Sequence, residues 1–202
     1  MMTATYKPKY SQAAKKTTLN FAVVGEVRSG SAVLQSAMAS TGDVACHGNL
    51  LHENESLRRL CHSHYFGPSS GKTPEHFVRG LTHPYWYLNK SVWDNPKRGE
   101  SAVGVRLTYD VVGSLELYDL LYERWKEGDF CLIHVVRNPV ACFVSLKQAE
   151  KSGVWACTNG VPPAQGAVVL DPAELTAFVR RYDAVKGKVA AGLTGVARGV
   201  TL

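Results

Sequence analysis

Three apolar runs stand out along the chain, each closed by a turn-forming or charged residue. Phe21-Ala-Val-Val-Gly25 ends on glycine, Ala102 to Leu107 gives way to Thr-Tyr-Asp110, and Phe130 to Val136 stops at Arg137-Asn-Pro139. Such short runs, apolar almost throughout, suit strands buried on both faces of a sheet. Between them the spacing turns helical. Ser31 to Ser40 reads as a helix with Val33, Leu34, Ala37 and Met38 in one stripe, ended by Thr41-Gly-Asp43. Val44 to His47 reads as a second short strand. Ser114 reads as the cap of a helix to about Lys126, with Leu117, Leu120, Leu121 and Trp125 on one face. Pro139 opens a helix that turns Val140, Phe143, Val144 and Leu146 toward a core. Asp171-Pro-Ala-Glu174 is a capping box with proline at the first helical position, and its helix runs to about Lys188.

The rest is less regular. Residues 1–18 read as a flexible basic arm, and Glu53 to Asn95 as helix-and-loop material in which Thr73-Pro-Glu75 marks a helix start. Residues 153–170, rich in glycine and proline, read as a loop. Val200-Thr-Leu202 looks like the start of another strand, so residues 19–202 are expected to form one domain cut short at its C-terminus. Strands alternating with helices predict an α/β fold: a single P-loop-like domain with a parallel β-sheet and helices on both faces. In such sheets ligands bind at the carboxyl ends of strands.

Composition adds bounds. The 202 residues, 45% hydrophobic, are enough for one real core. The formal charge of +6 allows nucleic acid, an anionic nucleotide or an acidic polymer as partner. No apolar stretch is long enough to span a bilayer, and the lysines between Tyr6 and Lys16 precede no apolar run, so a cytoplasmic location is expected. Cys46, Cys61, Cys131, Cys142 and Cys157 have no paired spacing and read as reduced thiols. Cys61-His-Ser-His64 lacks a second pair of ligands, so no metal is expected.

Two segments carry chemistry. In Val24-Gly-Glu-Val-Arg-Ser-Gly-Ser-Ala-Val-Leu34, a turn between strand and helix aims backbone N–H groups at one point beside the positive end of the helix dipole. Arg28 adds a fixed charge, Ser29 and Ser31 add hydroxyls, and Gly30 allows close approach. Gly25 and Gly30 copy the outer glycines of a P-loop. Ser31 stands where the nucleotide-triphosphate lysine belongs, however, and Ala32 where the magnesium-binding hydroxyl belongs. A nucleotide kinase is therefore the weaker alternative. In the second segment, Arg137 stands at the tip of a strand and Ser145 two turns into the next helix. Two neighbouring anion sites suit an adenosine carrying phosphates at both ends.

The pair resembles the two signature segments of the sulfotransferases that use 3′-phosphoadenylyl sulfate (PAPS). Arg28-Ser-Gly-Ser-Ala32 is similar to that family's 5′-phosphosulfate loop, and Arg137 with Ser145 has its 3′-phosphate spacing. Cys46-His-Gly-Asn49 and Gly104-Val-Arg-Leu-Thr-Tyr-Asp110 resemble further segments of bacterial members that act on carbohydrate or lipid-linked hydroxyls. The likeness covers roughly residues 20–150. It implies transfer of a sulfuryl group from PAPS to a hydroxyl or amine of a carbohydrate or small metabolite, with no metal and no nucleic-acid partner. Implied donor-binding residues are Arg28, Ser29, Gly30, Ser31, Ala32, Arg137 and Ser145, and Arg28 also acts in catalysis.

One position departs from that pattern. Asn49 stands where the family has a glutamate that takes the acceptor's proton, and an amide is no base. His52 or Glu53 is the expected substitute, while Arg106 and Asn49 are assigned to the acceptor side. A sulfotransferase-fold binding protein without activity is the other alternative. His134 reads as a satisfied core histidine. Trp86 and Trp93 read as core more readily than as a stacking surface for a sugar or adenine.

Overall fold

The computed structural model describes residues 18–48, 50–51, 82–94, 100–126, 128, 130–155, 166–193 and 200–201. The apolar runs form strands: β1 (Leu19–Gly25), β2 (Val44–Gly48), β3 (Ala102–Thr108), β4 (Phe130–Val135) and β5 (Val200–Thr201). All neighbours pair in parallel, in the order β2-β3-β1-β4-β5. β1 is central, and its last residue, Gly25, is level with Thr108 on one side and Val135 on the other. From Phe21 onward it is wholly buried, as an unalternating apolar run requires.

Helices flank this sheet. Ala22, Val24, Val103, Val105, Leu107, Phe130 and Leu132 point into the larger core. That core is completed by α2 (Pro84–Tyr87) with the π-helical turn Leu88–Trp93, and by α3 (Tyr109–Ser114) and α4 (Tyr118–Lys126). α5 (Pro139–Ser152) and α6 (Pro172–Leu193) pack there too. Phe21, Val23, Cys46 and Val135 form a smaller cluster on the opposite face, covered by Leu34 and Met38 of α1 (Ser31–Ala39). Among the described residues no helix is long and apolar enough to cross a membrane.

Several local expectations change. Ser114 closes α3 rather than capping the next helix, and Glu116 sits at φ 49° between α3 and α4. Val111, Val112, Leu117, Leu120, Leu121 and Trp125 are all buried. On one continuous helix these positions would point all around the axis, so the break is what turns both halves toward the core. Of the expected apolar stripe in α1, Leu34 and Met38, four residues apart, face the sheet, while Ala37 is exposed and Val33 is 74% exposed. Val140 likewise sits outside, at the first turn of α5. α6 continues past Lys188 to Leu193, held by buried Val189. Half of the capping box forms: Asp171 Oδ1 accepts from Ala173 N at 2.7 Å, while Glu174 pairs instead with Lys147 of α5 at 2.7 Å.

Candidate functional site

Adjacent strands β1 and β4 send their following helices to opposite faces: α1 over Phe21 and Val23, α5 over the larger core through Cys142 and Phe143. This is the topological switch point of a parallel sheet, where a crevice opens beyond the strand ends. The β1–α1 turn is tightly folded. Arg28 has φ 63° and Gly30 has φ 100°, both left-handed. A Cβ on Gly25 would lie 2.8 Å from Ser29 Oγ and 3.0 Å from Val135 O, so only glycine lets the loop close against β4. Ser29 N donates to Glu26 O at 3.1 Å, and Val33 N and Leu34 N donate to Gly30 O. Gly30 at the N-cap of α1 has no side chain to offer; in the first turn Ser31 N donates to Ser29 Oγ at 3.4 Å and Val33 N to Gly30 O at 3.0 Å.

The β4–α5 junction is built differently. Asn138 Oδ1 accepts from Val140 N at 2.9 Å and Ala141 N at 3.2 Å, and Pro139 occupies the first turn. The Tyr182 hydroxyl of α6 donates to Arg137 O at 2.6 Å and accepts from Arg137 N at 3.2 Å. The backbone of Arg137 is thus fastened while its side chain stays exposed.

The two junctions meet through their arginines. Arg28 Nε donates to Ser145 Oγ at 3.0 Å, and its Nη1 donates to the Trp155 carbonyl at 2.6 Å. Arg137 Nη1 donates to the Arg28 carbonyl at 2.9 Å. Arg28 therefore forms one cluster with Arg137 and Ser145, more than a hundred residues further along the chain. Ser29 and Ser31 are buried, and the Ser29 hydroxyl faces Ser31 N at 3.4 Å, so it turns back into the loop.

Beneath the crevice lies a buried polar layer that sequence reasoning missed. The Glu26 side chain is wholly buried: Oε1 accepts from Val27 N at 2.8 Å, and Arg181 Nη2 of α6 lies 3.0 Å from Oε2. Burial pushes its carboxyl above the usual range, against the pull of Arg181 and of the Val27 N–H. The Tyr109 hydroxyl meets His134 Nε2 at 2.6 Å. Burial, then the nearby Lys186 charge, lowers His134 to about 4, so it is a neutral core histidine at neutral pH. Burial also raises Tyr109, Tyr182 and Cys142. The one sequence signal for this layer was a carboxylate inside a loop otherwise suited to anions.

Arg106 lies one strand away, where its Nε donates to Gln35 Oε1 of α1 at 2.8 Å and Gln35 Nε2 donates to Cys46 O at 2.9 Å. Gln35, not singled out in the sequence, thereby joins Arg106 to the backbone of β2. Asn49, His52 and Glu53 lie outside the described residues, as does Cys61-His-Ser-His64. Trp93 is core: it is buried, its Nε1 donates to Phe21 O at 3.1 Å, and its ring meets Phe130 edge-on. Trp86 is 43% exposed and lines a surface hollow of about 540 Å³ with Thr82, His83, Pro84 and Tyr85. Cys46, Cys131 and Cys142 are free thiols, and burial raises Cys46 to about 12. Among the described residues no group of His, Cys, Asp and Glu is arranged to hold a metal ion. No protein-family model matches the chain, and no curated protein matches it.

Proposed function

We propose that the chain is a PAPS-dependent sulfotransferase whose P-loop-like β1–α1 turn takes the 5′-phosphosulfate end of the donor, while Arg137 and Ser145 take the 3′-phosphate. The observation that carries this reading is the cluster itself. Arg28 touches Ser145, and Arg137 touches the Arg28 backbone, at the switch point between β1 and β4. A nucleotide with anionic groups at both ends has a counterpart for each there, with Ser29, Gly30, Ser31 and Ala32 forming the turn.

In the reaction, an acceptor hydroxyl or amine attacks sulfur as the S–O bond to the 5′-phosphate breaks. The bond's electron pair leaves on that oxygen, giving 3′,5′-ADP. Arg28 and the α1 N–H groups stabilise the developing charge. The paired anion contacts fix the donor for in-line attack. The acceptor's proton is assigned to Glu53 or His52, and Arg106 and Asn49 are assigned to recognition of the acceptor, a carbohydrate or small metabolite. The chemistry asks for no metal.

A second reading, a binding protein of the same architecture without turnover, is favoured by Asn49 in place of the family's glutamate. One set of measurements separates the readings: calorimetric titration with PAPS, 3′,5′-ADP and ATP, followed by a search for 3′,5′-ADP release from PAPS with hydroxyl and amine acceptors. Tight binding with release supports the enzyme, and tight binding without release the binding protein. Preference for ATP overturns both.

A further inference from the structure

A loop shaped for an anion has no evident need of a buried carboxylate, yet Glu26 places one inside the β1–α1 turn. It takes up two backbone donors of that turn, Val27 N through Oε1 and Ser29 N through its carbonyl. Its Oε2 lies 3.0 Å from Arg181 Nη2 of α6, the counter-ion of the carboxylate. Arg181 reaches it from the surface, its side chain 41% exposed and its guanidinium over the Phe178 ring at 5.2 Å. Asp110, in α3, adds to the negative field at Glu26.

We propose that Glu26 is a positioning residue that lowers the turn's affinity for anions, and that Arg181 sets how strongly it does so. The carboxylate shapes the turn through Val27 while repelling whatever the turn holds. The inference rests on the reading of the turn as a 5′-phosphosulfate site, and it applies to donor and product alike, since a phosphosulfate and a free 5′-phosphate each carry about two negative charges.

The test is titration of 3′,5′-ADP into wild type, Glu26→Gln, Arg181→Met and the double variant at one pH and salt, with thermal melts to confirm folding. Glutamine keeps an acceptor for Val27 and removes the charge. It should bind 3′,5′-ADP roughly three- to tenfold more tightly, as expected for removal of a partly neutralised charge one loop's width from the ligand. Arg181→Met should weaken binding by a similar factor, and the double variant should lose that weakening. A merely structural Glu26 predicts the reverse, since loosening the turn can only weaken binding; unchanged or weaker binding by Glu26→Gln overturns the inference. Should Glu26→Gln fail to fold, Arg181→Met decides alone, and no weakening in it overturns the proposal. If wild type does not bind 3′,5′-ADP, both the site reading and this inference fall. If wild type binds and the variants match it, only the inference does.

Discussion

The two strand-to-helix junctions at the crevice look alike in sequence and work by different means. After β1, the turn uses two left-handed residues and a glycine N-cap, and the side chain nearest the helix start, Ser29, meets Ser31 N only loosely at 3.4 Å. After β4, Asn138 answers the N–H groups of Val140 and Ala141 from within the chain. On the proposed reading, the first junction would offer a ligand its backbone and Arg28, whereas the second would offer the side chains of Arg137 and Ser145. A helix start is therefore a receptor for anions only where the chain has not already capped it.

The largest expected effect exposes an opposite pH response of the groups buried beneath the two junctions. His134 in β4 is lowered to about 4 from 6.5, so the unfolded chain takes up a proton as pH falls through 6.5 while the native chain does not. Stability should fall by about 3 kcal/mol between pH 6.5 and 4 and level off below. Glu26 is raised, so the native chain holds its proton more tightly, and its contribution to stability falls as pH rises above 4.5. Urea unfolding across this range should show a flatter acid limb for His134→Gln and a flatter limb above pH 4.5 for Glu26→Gln. A common slope for wild type and both variants would erase the contrast.

Next come the arginines. Arg137→Ala should weaken 3′,5′-ADP by roughly ten- to a hundredfold while scarcely changing ADP, since a charge-assisted hydrogen bond contributes about 1.5–3 kcal/mol. Arg28→Ala should weaken both nucleotides. Calorimetry on the two variants checks this, and equal losses for ADP and 3′,5′-ADP in Arg137→Ala would mean that the junctions do not divide the ligand as described. Smaller still, Gly30→Ala should reduce stability by about 1–2 kcal/mol through its left-handed backbone, because open space surrounds the added methyl. It should weaken nucleotide binding as well. Asn138→Ala should remove about 1 kcal/mol of stability with the cap and leave nucleotide affinity unchanged. A loss of affinity there would put the backbone of the second junction into the site.

Strands were the legible part of this chain. The runs at Phe21, Ala102 and Phe130 pair in parallel, because an apolar stretch without alternation has few other uses. Arg28, Arg137 and Ser145 were legible because strand ends converge in this architecture. What escaped depended on distant partners. Glu26 has its counter-ion, Arg181, on α6, more than 150 residues further along the chain. The break at Ser114 follows from where the core lies, and helix signals near Ser114 do not reveal it. The exposure of Val33 and Val140 reflects helices that touch the sheet along narrower stripes than their composition suggests.

The Tyr182 hydroxyl closes a bracket on the Arg137 backbone across 45 residues, and Arg181 beside it closes one on Glu26. During synthesis, β1, β3 and β4 can emerge and pair before either bracket exists. At about 5–20 residues per second, the stretch from Arg137 to Tyr182 takes roughly 2–9 s to translate. Over that interval neither strand-to-helix turn has its partner from α6. The crevice is finished last, by a helix that contributes no residue to its mouth.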